Sequence, residues 1–195
     1  MRAATSLVSL CSLVIVGGLL TLSAAAAEDG WYPVAVDVWS PPFNTEHQHA
    51  VQQYMPPEPA SRPWRICASI PHLKDDYWLA VNFGLVTEAE RLGVTLSLYE
   101  AGGYENLATQ QSQIAECMAK NNAQALIVGA ISADGLNSVI ADYSDKGIPV
   151  IDLINGVSSD KITARVAADF YDMGMAAGGD GAHRQVLKKE TSSRL

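Results

Sequence analysis

Positively charged residues are scarce in this chain. It has 13 lysines and arginines against 21 aspartates and glutamates, which gives a formal net charge of −8. A nucleic-acid surface needs clustered basic residues to displace counterions, so the composition excludes a nucleic-acid partner. Charged residues make up 17% of the 195 residues and apolar ones 48%, which is typical of one globular domain.

The motifs of cofactor and nucleotide chemistry are also missing. No loop has G-x-x-x-x-G-K-[ST] or G-x-S-x-G, and the loop after the strand predicted at 64–70 has no G-x-G-x-x-G. We therefore predict no cofactor and no enzymatic activity. A hydrolase or isomerase would need a nucleophile in the loops. The nearest candidates, Ser132 and Asp134, are better explained by capping of the next helix, predicted over 135–145, with Asp134 as the cap.

A metal site has little support. "HQH" at 47–49 offers two histidines, but no carboxylate or thiol cluster lies beside them in the sequence. Exposed loop histidines explain the motif better, so we predict no metal.

The first 27 residues have the pattern of a secretory leader. Arg2 precedes an apolar run, and the small residues Ala24–Ala27 follow it, which predicts a cleaved signal peptide over 1–27 and export of the chain. The alternative is a membrane anchor. The apolar run is marginally short for a full span, and no basic cluster follows it.

Cysteine is rare, with three in the chain, and one of them, Cys11, lies in the leader. In an oxidising compartment Cys67 and Cys117 can pair, which we favour. The bond would close a loop of about 50 residues and stabilise the fold by roughly 2–4 kcal/mol. Two buried free thiols are the alternative.

Prolines cluster between residues 28 and 63, with pairs at 41–42 and 56–57. Because proline lacks an N–H and fixes φ, this segment cannot be a central strand or a long helix. We predict an extended arm that lies on the domain. Its possible docking residues are Trp31, Tyr32, Val36, Trp39 and Phe43.

From Trp64 onward, apolar strands alternate with amphipathic helices. This alternation predicts an α/β fold, a doubly wound parallel sheet with helices on both faces. Ligands of such sheets bind beyond the carboxyl ends of the strands. The predicted strands are 64–70, 94–101, 123–130, 149–154 and 164–169, and the predicted helices are 76–92, 106–120 and 135–145.

Aromatic residues concentrate in the loops at that edge. We expect the rings of Tyr77 and Trp78, at the start of the first helix, to face outward over the sheet rim as part of a ligand pocket. The alternative is that Trp78 begins the buried face of the helix with Val81, Val86 and Ala89. The full set of aromatic and polar loop residues is Tyr77, Trp78, Tyr104, Phe170 and Tyr171, with Asp75, Asn155 and Asp169.

Several motifs give the chain a family resemblance. "KDDYW", "EAGGY", "ATQQSQI", "GIPVID" and "LIN" resemble the TorT-type sensors among type I periplasmic binding proteins, over about residues 64–178. "CASI" and "AEC" also place both cysteines as they stand in that group. The resemblance implies the N-terminal lobe of a periplasmic protein that detects trimethylamine N-oxide and signals to a membrane sensor histidine kinase. The alternative is a solute-binding protein of an ABC transporter for a sugar or an amine.

The resemblance also implies ligand-binding residues. Asp75, Tyr77 and Trp78 match the first ligand loop, and Tyr104 matches the second. Phe170 falls where TorT-type proteins carry a tryptophan, which weakens cation–π attraction. Asn155 stands where sugar binders of the wider class use an arginine, which counts against a sugar.

Type I binding proteins close two lobes around the ligand, and the resemblance covers one. The sequence "GDGAHRQVLKKETSSRL" at 179–195 matches nothing expected of the family, so we predict a non-matching tail and a truncated, single-lobed chain. Half a cleft leaves one ligand face in water, so we expect weak binding or none. An exposed cleft face could also promote a homodimer.

Overall fold

The computed structural model describes residues 32–41, 48–171 and 173–179. The predicted signal peptide, Trp31, Phe43, His47 and the tail from 180 lie outside these residues. Within the described ranges, no helix has the length and apolar character needed to cross a bilayer.

The elements are β1 Val34–Trp39, β2 His49–Tyr54, β3 Arg65–Ile70, α1 Asp76–Leu92, β4 Thr95–Glu100, α2 Leu107–Lys120, β5 Ala125–Val128, α3 Asn137–Ser144, β6 Val150–Leu153 and β7 Ala164–Val166. The main sheet has five parallel strands in the order β4-β3-β5-β6-β7. Because β4 and β5 flank β3 on opposite sides, right-handed crossovers place α1 and α2 on opposite faces of the sheet. The predicted α/β architecture is thus confirmed.

The proline-rich arm is not simply extended, and this prediction needs correction. Strands β1 and β2 pair antiparallel, with Val34 opposite Tyr54 and Trp39 opposite His49. The two strands fit because the prolines fall outside them, at Pro33 and from Pro41 onward. The Trp39 and His49 rings stack at 5.3 Å. We refer to this two-stranded sheet as the β1–β2 ribbon.

The segment after the ribbon is tied to the C-terminal end of α1. The Ala60 N–H donates to the Leu92 carbonyl at 2.9 Å, and Arg91 Nη2 donates to the Pro57 carbonyl at 2.9 Å. Arg91 also donates to both carboxylate oxygens of Glu88. That hydrogen bond lowers the pKa of Glu88 below its ordinary value.

The core lies between the sheet and helices α2 and α3. Side chains alternate along β3, so Cys67 points into this core whereas Ala68 points to the opposite face. The predicted disulfide is present: Cys67 and Cys117, both fully buried, are bonded, with their Cα atoms 6.0 Å apart. Other core residues are Ile114, Met118, Leu126, Val128, Leu136, Ile140 and Val150.

Candidate functional site

Three loops at the carboxyl edge of the sheet bring four polar and aromatic side chains together. The loop after β3 supplies His72 and leads to Trp78 in α1, the loop after β4 supplies Tyr104, and the loop after β6 supplies Asn155. We call these four residues the rim cluster. The sequence predicted three of them as ligand-binding residues, namely Trp78, Tyr104 and Asn155.

Hydrogen bonds centred on Tyr104 connect the cluster. The Trp78 indole N–H donates to the Tyr104 phenol oxygen at 3.2 Å, and the Asn155 amide donates to the same oxygen at 3.2 Å. The Asn155 amide also donates to the Ala130 carbonyl at 2.8 Å. These bonds connect the loops after β4, β5 and β6 with the start of α1. Tyr104 and Asn155 are exposed, so a ligand at this edge can reach them.

The two aromatic residues at the start of α1 have different environments. Tyr77 is 41% exposed, as expected of an outward ring, but Trp78 is 2% exposed, so the expectation that both rings face outward is wrong for Trp78. Its indole lies over the end of β5, where a Cβ added to Gly129 would lie 2.6 Å from the ring. The absence of a side chain at Gly129 therefore creates the space that Trp78 fills. The alternative holds for most of its residues. Trp78 and Ala89 are the buried residues of α1 and Val81 is half-buried, whereas Val86, at 39% exposed, does not belong to that face.

Asp75 begins α1. Its backbone is extended, and its Oδ1 accepts from the Trp78 backbone N–H at 2.9 Å, which is the geometry of a helix N-cap. Its Oδ2 lies 3.8 Å from His72 Nε2, and the side chain is 53% exposed. Asp75 thus fixes the position of Trp78 and leaves a negative charge at the rim.

His72 belongs to the cluster, and the sequence analysis missed it. The residue is 8% exposed, and its ring makes edge contacts with Tyr104 at 5.3 Å and with Trp78 at 6.4 Å. The Lys74 backbone N–H donates to its Nδ1 at 3.3 Å. A single histidine between Pro71 and Leu73 carries no spacing pattern. Its position just after a buried strand was the only available signal.

Glutamines of α2 hold the loops beneath the cluster. Gln110 is fully buried; its amide donates to the Gly129 carbonyl at 2.9 Å and its oxygen accepts from the Ile131 N–H at 3.0 Å. Gln111 donates to the Gly135 carbonyl at 2.7 Å. The "TQQSQ" stretch therefore supports the site without lining it. Helical spacing alone does not predict that the side chain of Gln110 is fully buried.

A strained turn orients Asn155. Ile154 has φ of 72°, a left-handed conformation that is rare for β-branched residues, and the Asn155 N–H donates to the Leu153 carbonyl at 2.9 Å. Such strain costs about 1–3 kcal/mol. It is offset in part by the Ile154 N–H, which donates to the Val166 carbonyl at 2.7 Å.

A buried ion pair holds the loop after β6. Asp152 is fully buried; its Oδ2 accepts from Arg165 Nε at 2.6 Å and from the Val157 N–H at 3.0 Å. Arg165 also donates to the Val157 carbonyl. This pairing anchors the far end of the loop whose start carries Asn155.

The aromatic residues after β7 are exposed. Phe170 is 54% exposed and Tyr171 is 74% exposed. Among the ring contacts of the described residues, none joins either one to the rim cluster. The binding role predicted for Phe170 stays a prediction.

The predicted cap at Asp134 is wrong. Helix α3 begins at Asn137, its N-cap position is Leu136, and no side chain caps it. A turn over 133–136 precedes the helix, and Ser132 Oγ, just before this turn, accepts from the Gly135 N–H at 3.1 Å. The Asp134 carboxylate instead accepts from Ser158 Oγ.

In the described part of the chain, no three His, Cys, Asp or Glu side chains group as metal ligands.

Most of the chain matches a known protein family. The model of the periplasmic binding protein domain family matches residues 66–191, more than half of the chain. The chain belongs to this family. The boundaries predicted at 63/64 and 178/179 stay predictions.

Known relatives agree with this assignment. The chain is 39% identical over 133 residues to the periplasmic protein TorT of Escherichia coli K12, a match that covers 67% of this chain and 37% of TorT. An ABC transporter solute-binding protein from Bradyrhizobium sp. BTAi1, solved with bound Bis-Tris, is 50% identical with a TM-score of 0.70, and the match covers 74% of this chain and 43% of that one. TorT in its complex with the TorS sensor domain in the presence of TMAO is 39% identical with a TM-score of 0.56, over 62% and 42%.

The chain thus spans well under half the length of each of these relatives. Family membership and the similarity to TorT support a solute-binding or sensory role and imply a periplasmic location. Members of this family are normally binding proteins and not enzymes, which indirectly supports the prediction of no enzymatic activity.

Proposed function

We propose that this chain is the ligand-binding lobe of a TorT-like sensor that recognises trimethylamine N-oxide or a related methylated amine. The main support for this proposal is the hydrogen-bonded group of Trp78, Tyr104 and Asn155 at the carboxyl edge of the sheet. It stands where ligands of parallel α/β sheets bind.

The chemistry of the exposed groups suits such a ligand. Tyr77 and Tyr104 are 41% and 48% exposed and offer aromatic faces to methyl groups on a positive nitrogen, at about 0.5–2 kcal/mol each. The Tyr104 hydroxyl can donate its own O–H to an N-oxide oxygen, because its oxygen serves as the acceptor for Trp78 and Asn155. The Asp75 carboxylate, half exposed, favours the cationic end.

Calorimetry on the isolated mature chain tests the ligand class. We expect trimethylamine N-oxide to bind in preference to glucose, and more weakly than micromolar, because one lobe contacts only part of the ligand surface. Glucose binding equal to or tighter than that of the amine oxide would contradict the proposed ligand class. Micromolar binding of the amine oxide would contradict the half-cleft reasoning.

The proposed partner is the periplasmic domain of a membrane sensor histidine kinase. This proposal draws on the similarity to TorT as it occurs with the TorS sensor domain. Co-purification of the tagged chain with a kinase sensor domain would support it.

A second candidate is an ABC transporter solute-binding protein for an amine. The 50% identity to the Bradyrhizobium protein with bound Bis-Tris, itself a tertiary amine, favours it. Co-purification with permease subunits in place of a kinase would select this candidate.

A further inference from the structure

We propose that His72 is a specificity-determining residue of the rim site. When the His72 imidazole is neutral, the site favours a quaternary ammonium cation over a net-neutral amine oxide. When the imidazole is protonated, the site loses that preference. The inference rests on the proposed function, because it assigns a role within the same site.

The position of His72 makes its charge felt by any ligand at the rim. The imidazole is 8% exposed and contacts both aromatic rings of the cluster, Trp78 and Tyr104. A charge held there has little water around it, so it acts on neighbouring charges more strongly than a surface charge would.

The hydrogen bonding assigns the proton of the neutral ring. Nδ1 accepts from the Lys74 backbone N–H, so a neutral ring carries its proton on Nε2. Nε2 faces Asp75 Oδ2 at 3.8 Å. Protonation would add a proton at Nδ1 and break the bond from the Lys74 N–H. It would also place a cation beside the Asp75 carboxylate and offset that negative charge.

The other charged and titratable groups around the His72 ring come from the loops after β3 and β4. They are the Asp75 carboxylate, the Tyr104 phenol, and the Lys74 ammonium, which donates to the Gly102 carbonyl in the loop after β4. The Glu100 carboxylate accepts from the Gly102 N–H at 2.9 Å. Histidine is the side chain among these types whose charge ordinarily changes between about pH 5 and 8.

The test uses NMR titrations of the isotope-labelled chain with choline, a quaternary ammonium probe, and with trimethylamine N-oxide. Each titration is run at about pH 5.5 and about pH 8. The variants are wild type, His72→Gln and, as the matched control, His49→Gln, which alters a half-exposed histidine on the β1–β2 ribbon.

We expect choline affinity to fall about tenfold from the higher to the lower pH in wild type and His49→Gln, the size expected for a unit charge a few ångströms away. Trimethylamine N-oxide affinity should change less than about twofold, and His72→Gln should remove the pH dependence for choline. A tenfold loss retained in His72→Gln, or equal losses for both ligands, would overturn the inference.

A ligand-free readout separates this inference from the proposed function. The Trp78 indole N–H signal should move between the two pH values in wild type and in His49→Gln, and stay in place in His72→Gln. If neither probe binds, the proposed function fails. The specificity role of His72 then fails with it, whereas an indole signal that ignores His72 while a probe binds overturns the inference alone.

Discussion

The indole N–H of Trp78 donates to the phenol oxygen of Tyr104 across 3.2 Å and so joins the start of α1 to the loop after β4. Trp78 is 2% exposed, which leaves its N–H little access to water as a substitute acceptor. The bond is therefore structural as well as part of the site. It explains why two aromatic residues far apart in sequence lie in one cluster.

Tyr104→Phe should destabilise the fold by about 1–3 kcal/mol, because it leaves the buried indole N–H without an acceptor. Urea denaturation measures the change. Tyr171→Phe, at a residue that is 74% exposed, is the control and should change stability by less than about 0.5 kcal/mol. Equal stability of wild type and Tyr104→Phe would show that the bond contributes nothing.

Gly129→Ala should destabilise by about 1–3 kcal/mol, because the new Cβ would lie 2.6 Å from the Trp78 ring and displace it. The NMR signal of the Trp78 indole N–H and thermal unfolding report the displacement. Gly84→Ala is the matched control: it lies in α1 with nothing within 4 Å, and it should stabilise by about 0.5–1 kcal/mol. Gly129→Ala as stable as wild type would contradict the close packing.

Loss of the disulfide should destabilise the chain by roughly 2–4 kcal/mol, since the bond closes a loop across a sequence separation of 50 residues. The comparison is wild type against Cys67→Ala/Cys117→Ala in oxidising and reducing buffers. Wild type should lose stability on reduction, and the double variant should not respond. A wild type indifferent to reductant would contradict the predicted contribution.

The ion pair at the end of α1 predicts a small pH effect. The hydrogen bond from Arg91 lowers the pKa of Glu88, so its contribution is present above the unfolded-state pKa and is lost as pH falls through the folded one. Because both side chains are more than a third exposed, screening reduces the contribution to about 0.5 kcal/mol or less. Denaturation of Glu88→Gln should show this deficit near neutral pH and none in strong acid, with Glu90→Gln as control. A deficit that grows in acid would have the wrong sign.

The helices and strands of the main sheet could be predicted from the sequence, because hydrophobic periodicity is a local signal. Helix α1 was predicted over 76–92 and has those bounds, because Asp75 caps its start and Gly93, with φ of 68°, ends it. The β1–β2 ribbon could not be predicted in the same way, because the prolines of that segment disfavour strands although they lie outside both of these.

The candidate site was predicted in part. Trp78, Tyr104 and Asn155 were found because aromatic and amide side chains in the loops of a parallel sheet stand out. His72 and Gln110 were missed because their roles depend on contacts with other loops, which no local spacing encodes. The burial of Trp78 depends on the absence of a side chain at Gly129, which is 51 positions further along the chain.

The decisive experiment is a residue-resolved NMR titration of the mature chain with trimethylamine N-oxide. We predict saturable shifts of the Trp78 indole N–H, the Asn155 side-chain amide and the Tyr104 backbone N–H, at an affinity weaker than micromolar, while His49 on the β1–β2 ribbon stays unchanged. Saturating ligand that leaves these three signals in place, or that shifts only residues away from the carboxyl edge of the sheet, would contradict a methylated-amine site there.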